Sequence, residues 1–183
     1  MRKHVVLMEL RLATGDDVEA IAALHADSWR RNYRGAYLDS YLDGDVVADR
    51  LAVWSDRIAH AGPAERTIVA ERDGEFLGFA HTKFDEDPIW GALLDNLHVV
   101  HDHKGLGIGT SLLSETARAV LARPAPTGLY LWVLEQNTAA QAFYAARGGR
   151  EVGRELRGPF PGGGTAVGLR IAWPDPSVLC RSG

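Results

Sequence analysis

Cysteine is almost absent from this chain. A single one, Cys180, stands in 183 residues, so no intrachain disulfide can form. Its polar neighbours near the end of the chain provide neither metal-ligand spacing nor a catalytic thiol motif. A reducing, cytoplasmic setting is expected. Clustered basic charge is also missing. The net charge is −4, whereas nucleic acids and anionic membranes are held by grouped Lys and Arg that displace counterions. Neither is expected as a partner. The apolar run at residues 5–8 is too short for a signal-peptide core or a membrane span, and it reads as a lead into the first strand. No internal repeat or low-complexity tract is present. Two phosphate-loop patterns are missing as well. The Walker sequence Gly-x-x-x-x-Gly-Lys-Ser/Thr occurs nowhere. A dinucleotide fingerprint G-x-G-x-x-G would need glycine at Thr110 or at Leu112, depending on its start.

What remains has the composition of an ordinary globular protein, 46% apolar and 24% charged. A chain of this length buries about 70% of its unfolded surface around one core, so residues 1–173 are expected to form one domain and residues 174–183 a flexible tail. Leu10 to Ala13 alternates like a strand. Thr14-Gly15-Asp16-Asp17 then offers helix-capping residues ahead of Val18, Ile21, Ala22, His25, Ser28 and Trp29 at helical spacing. From Tyr33 to Trp54 runs an irregular helical region broken near Gly44. Period two takes over at residues 67–70 and 76–80 around Asp73-Gly74, a hairpin signal. An acidic loop, Asp85-Glu86-Asp87-Pro88, precedes Gly91 to Val100, which is apolar on both faces like a strand inside a covered sheet. A helix around Leu112 to Leu121 stops before Pro124, a strand covers Gly128 to Leu134, and a helix covers Thr138 to Arg147. Val152 to Leu156 and Ala166 to Trp173 read as a closing strand pair. The sum is a mixed α/β fold.

The chemistry concentrates after the apolar strand, where Gly105, Gly107 and Gly109 alternate directly before a helix. Such a turn lets backbone N–H groups and the positive end of the helix dipole face phosphate oxygens. Leu97-His98-Val99 followed by Lys104-Gly105-Leu106-Gly107-Ile108-Gly109 resembles the acetyl-CoA signature of the GNAT superfamily of N-acetyltransferases, Gln/Arg-x-x-Gly-x-Gly/Ala. Asn137 and Phe143-Tyr144 extend the resemblance, and the order of elements from Arg11 to Gly148 follows the family's. Lys104 departs from the pattern, standing where Arg or Gln is usual, but it keeps the positive charge.

The resemblance implies a mostly antiparallel central sheet of about seven strands, flanked by about four helices and splayed at the cofactor-binding central strands. It implies that acetyl-CoA is the co-substrate, with no metal, and that an acetyl group passes to a primary amine by direct attack. Leu97, His98 and Val99 would hold the pantetheine arm by main-chain bonds, the logic of strand addition. Lys104, Gly105, Leu106, Gly107, Ile108, Gly109 and Thr110 would hold the pyrophosphate. Asn137 and Tyr144, seven residues apart and so on one helix face, would both meet the cofactor, with Thr138 left to cap the helix. Tyr144 would protonate the departing thiolate, its alternative being a core tyrosine beside Phe143.

The base that deprotonates the amine is harder to assign. By strand alternation Asp95 shares a face with Leu97 and Val99 and opposes His98, which makes Asp95 the first candidate. Glu135 and His98 compete with it. Trp29, Tyr33, Tyr37 and Trp54 are expected around the amine acceptor, and the acidic loop at 85–87 could attract it. The cluster His98-x-x-His101-Asp102-His103 raises a metal-dependent hydrolase as a rival, but the H-x-H-x-D-H pattern would need histidine at Val99. A second rival is an acyl-CoA-binding module without catalysis. The strand at Ala166 to Trp173 offers an edge on which a second copy could pair as a homodimer.

Overall fold

The turn at Asp73-Gly74 has both residues at positive φ, 53° and 78°. This type I′ geometry matches the twist of its flanking strands and joins β2 (Glu65–Arg72) to β3 (Glu75–Asp87). In this computed structural model, which describes residues 7–181, the hairpin leads the central sheet. The chain begins with β1 (Glu9–Leu12), α1 (Val18–Asn32), α2 (Asp39–Leu42) and α3 (Val46–Ala59). After the hairpin come β4 (Gly91–Val99), α4 (Ile108–Leu121), β5 (Leu129–Leu134), α5 (Thr138–Ala145), β6 (Arg150–Arg157) and β7 (Ala166–Trp173). Residues 1–6, which include the first half of the apolar run at 5–8, lie outside the described segment.

The seven strands form one sheet in the order β1-β2-β3-β4-β5-β7-β6. All neighbours are antiparallel except β4 and β5. The expected mixed α/β, mostly antiparallel sheet is therefore present. One face carries α4, whose Leu112, Leu113 and Val120 pack on Ile68, Ala80, Leu94 and Leu131. The other face carries α1 and α3, where Ile21, Leu24 and Trp54 meet Val69 and Phe79. A third cluster, built on Trp29, Tyr37, Leu42 and Leu134, continues this layer toward the β6–β7 loop. The start of α1 is pinned by Asp17, which accepts from the Thr14 amide at 2.7 Å and pairs with Arg11 at 2.8 Å. Arg11 holds this carboxyl below the usual carboxylate range.

Residues 176–180 form a 3₁₀ turn in which Leu179 packs on the core and the Cys180 thiol reaches the Ser114 carbonyl. Two expectations change. The acidic residues 85–87 are not a loop but the end of β3. Asp85 pairs with Arg123 at 3.0 Å, and Asp87 accepts from the amides of Ile89 and Trp90. The strand at Ala166–Trp173 is no edge, since β7 lies between β5 and β6.

Candidate active site

Two residue pairs, Ala92 with Leu129 and Leu93 with Tyr130, are all that join β4 to β5. Beyond Leu93 the strands part, as expected of splayed central strands, and a groove of about 780 Å³ opens between them. A bulge aims the residues at its rim. His81 pairs with Asn96 and Thr82 with Leu94, so Asp95 is the extra residue and strand alternation is interrupted there. Leu97 and Val99 turn to the α4 side with the core of that face. Asp95 turns to the α1–α3 side, where its carboxylate lies 3.3 Å from Arg57 and 4.0 Å from Lys83. The His98 ring lies on that side too, 4.9 Å from the ring of His25 and 5.4 Å from Phe79. The expected common face of Asp95, Leu97 and Val99, with His98 opposite, is thus corrected by one inserted residue.

At the far end of the gap the glycine turn starts α4. Gly107 caps the helix at φ +82°, and the Ser111 amide bonds to its carbonyl at 3.0 Å. The amides of Ile108, Gly109 and Thr110 precede that first helical bond and face out of the helix end. A Cβ placed on Gly105 or Gly107 would meet no protein atom within 4 Å, so both glycines serve their positive φ and border open space. Gly109 instead serves packing, since a Cβ there would come 3.3 Å from the Phe143 ring. Lys104, Gly105, Gly107, Ile108, Gly109 and Thr110 all line the groove. Leu106 does not, its side chain being 58% exposed to solvent.

Arg147 is a groove residue that sequence reasoning missed. Its guanidinium stacks on Phe143, 3.7 Å from the ring centre, and donates to the Thr110 hydroxyl at 2.9 and 2.7 Å. A second cation besides Lys104 is thereby fixed beside the start of α4. The i, i+4 spacing of Phe143 and Arg147 was the available signal.

Helix α5 supplies the other wall. Asn137, and not Thr138, is its cap, for the Asn137 Oδ1 accepts from the Ala140 amide at 3.2 Å. That bond commits the oxygen and leaves the amide nitrogen, a donor, at the groove wall. Tyr144 lines the groove from a buried position, its ring edge-on to Phe143 and Trp173. Burial raises its phenol above the ordinary value near 10. The core-tyrosine and groove-tyrosine readings therefore both describe it.

The half of the groove where the amine acceptor is expected lies toward α1 and α3. Trp29, Tyr33 and Tyr37 form one aromatic group, with Tyr33 and Tyr37 stacked at 5.2 Å and Trp29 edge-on to Tyr37 at 4.7 Å. All three line the groove. Burial, with the Asp95 charge adding, pushes the Tyr33 phenol up to about 12. Trp54 is not among them, being fully buried with its Nε1 donating to His25 at 2.9 Å. Its place is taken by a loop that sequence reasoning passed over. Phe160 and Pro161 of the β6–β7 connection cover this end, with the Phe160 ring 4.6 Å from Tyr37. The signal was the Pro159-to-Gly164 stretch, since a Cβ on Gly164 would overlap the Ala36 carbonyl and one on Gly162 would strike Tyr41.

The competing candidates separate cleanly. Glu135 is exposed, pairs with Arg154 at 2.7 Å and is not part of the groove wall. Desolvation, and then the Lys104 charge, lower His98 to about 4, while burial holds His25 well below 6.5. Of the remaining histidines, His101 is exposed and His103 pairs with Glu75 at 3.2 Å. Among the described residues no three His, Cys, Asp or Glu side chains gather closely enough to hold a metal ion. Nor is any described helix long and apolar enough to cross a membrane.

The chain is similar over 178 residues to YuaI, an uncharacterized N-acetyltransferase of Bacillus subtilis, with 25% identity covering 94% of this chain and 96% of that one. A probable N-acetyltransferase of Mycobacterium tuberculosis is 29% identical over 75% of this chain and 76% of its own length. Among solved structures, the PaiA N-acetyltransferase of Thermoplasma acidophilum, in complex with coenzyme A, shares the fold. Its TM-score is 0.67 at 18% identity, covering 91% of this chain and 99% of that one. The model of the acetyltransferase (GNAT) family matches residues 19–148, from α1 to just past α5 and so across every groove residue from His25 to Arg147. The chain belongs to the acetyltransferase (GNAT) family.

Proposed function

We propose that the protein transfers an acetyl group from acetyl-CoA to the primary amine of a small molecule, peptide or protein, by direct attack and without an acyl-enzyme. The observation that carries this reading is the parting of β4 from β5 after Leu93, which opens beside the glycine-capped start of α4. The residues fit the co-substrate in three respects. Space borders Gly105 and Gly107, unbonded amide donors lie at Ile108, Gly109 and Thr110, and two cations, Lys104 and Arg147, flank them. Acetyl-CoA supplies the acyl group as a thioester.

In this reading the main chain of Leu97, His98 and Val99 bonds the extended pantetheine arm as an added strand would. The α4 amides hold the pyrophosphate with Lys104 and Arg147, and the Asn137 amide nitrogen donates to the arm. Trp29, Tyr33 and Tyr37 hold the amine. Asp95 receives its proton, directly or through a water, and amide groups near Val99 stabilise the oxyanion. Tyr144, kept protonated by burial, gives its proton to the leaving thiolate. Holding both substrates in one groove supplies much of the acceleration.

Calorimetric titration with acetyl-CoA tests the reading, with Gly107→Glu as the control. Micromolar binding is expected for the native chain. The variant should lose it, because a carboxylate at open Gly107 crowds and repels the pyrophosphate. Absence of binding to the native chain would overturn the proposal, and ping-pong kinetics would overturn direct attack.

A further inference from the structure

The acceptor half of the groove holds more positive charge than an amine alone would need. Arg50 and Arg57 stand seven residues apart on α3, two helical turns or about 10 Å along its axis, and both line the groove. Arg50 is 7% exposed, with its guanidinium carbon over the Trp29 indole, 4.5 Å from the ring centre. One terminal nitrogen reaches Asp49 at 2.8 Å, but its buried Nε has no hydrogen-bond partner among the described residues. Arg57 lies over Trp54 at 4.9 Å. Its Nη1 is 3.3 Å from Asp95, yet out of line for a hydrogen bond, and is likewise buried without one.

Both side chains nevertheless line the groove, so its wall carries two guanidinium charges that an anionic group on the ligand would match. Guanidinium forks match planar carboxylates, and stacking on indoles fixes their planes in advance. Asp95 beside Arg57 provides the opposite charge, suited to an ammonium. A polyamine would meet two repelling cations here.

We propose that the acceptor is an amine that also carries a carboxylate, an α-amino acid being the smallest, with Arg50 and Arg57 binding the carboxylate while the amine is presented near Asp95. The inference rests on the acetyltransferase reading and narrows its substrate class.

The test measures release of the CoA thiol with the twenty L-amino acids as acceptors. The best acceptors are then compared with their own C-amides and decarboxylated amines. A kcat/KM ratio of acid to amide of about 30 or more is expected, the size of effect seen when one partner of a buried charge pair is removed. Arg57→Gln should lower that ratio toward one while leaving the affinity for acetyl-CoA unchanged. Arg50→Lys, which keeps the charge and much of the contact with Trp29, should lower it at least several-fold. Because the ratio is internal to each preparation, partial misfolding does not move it. Equal turnover of acid and amide would overturn the inference, as would protein that binds acetyl-CoA yet acetylates none of the amino acids. Failure to bind acetyl-CoA would instead strike the underlying reading, so the two failures are distinguishable.

Discussion

Replacing Tyr144 by Phe removes one oxygen and little else. The ring is buried edge-on against Phe143 and Trp173, and phenylalanine fills the same volume, so the α5 wall should keep its shape. Loss of the hydroxyl should change stability by no more than about 1 kcal/mol, or roughly 2–4 °C in Tm for a chain of this size. Catalysis should respond far more. General acids contribute about 10²–10⁴-fold, and a thiolate is already a fair leaving group, so the lower end applies. A fall in kcat of about 100-fold, equivalent to about 2.7 kcal/mol of barrier, is expected with the KM for acetyl-CoA within about threefold. Burial raises the phenol above its ordinary value, so the native enzyme should show no loss of rate from Tyr144 deprotonation below about pH 10. The assay is thiol release at saturating substrates from pH 6 to 10, with single-turnover measurements to separate chemistry from product release. An unchanged single-turnover rate in the variant would refute the acid assignment. A fall matched by equal loss of acetyl-CoA affinity would make Tyr144 a binding residue instead.

Three further outcomes follow from the same geometry. Gly164→Ala should raise the KM for the amine several-fold while leaving acetyl-CoA binding intact, because the added methyl would push the Phe160 loop off Ala36; unchanged amine kinetics would separate that loop from the acceptor site. Asp17→Asn should cost about 1–2 kcal/mol at pH 7 in urea unfolding, through the lost cap and ion pair. Because the native Asp17 pKa is lowered, its contribution is present above the unfolded carboxylate value and disappears as pH falls through the native one, so the two proteins should converge once the pH lies below the native value. The native His98 imidazole stays neutral down to about 4, whereas an unfolded one protonates near 6.5. The unfolded chain therefore binds more protons between those values and stability falls as pH drops through that window. His98→Phe should flatten this slope by up to about 1.4 kcal/mol per pH unit.

Much of the fold and of the half of the groove proposed for the cofactor is legible in the sequence, because the relevant signals are local. Asp73-Gly74 dictates a type I′ turn through backbone sterics alone, the apolar run from Gly91 marks a covered strand, and the glycines at 105 and 107 are required by positive φ. The cap of α5 shows the limit of such signals, for Asn137 and Thr138 both carry capping side chains and only the observed bond to the Ala140 amide separates them.

The half of the groove proposed for the acceptor was decided by tertiary structure. Strand alternation carries the residues of β4 correctly until a bulge inserts Asp95, which no composition rule marks and which moves Asp95 and His98 to one side. The meeting of Trp29, Arg50, Arg57, Phe160 and Asp95 joins α1, α3, β4 and the β6–β7 loop across more than a hundred residues of chain. The placement of β7 inside the sheet, with β6 outermost, likewise reflects long-range pairing. Local sequence fixes dihedral angles and the periodicity of buried faces. Which distant side chains share a groove follows from how those faces pack.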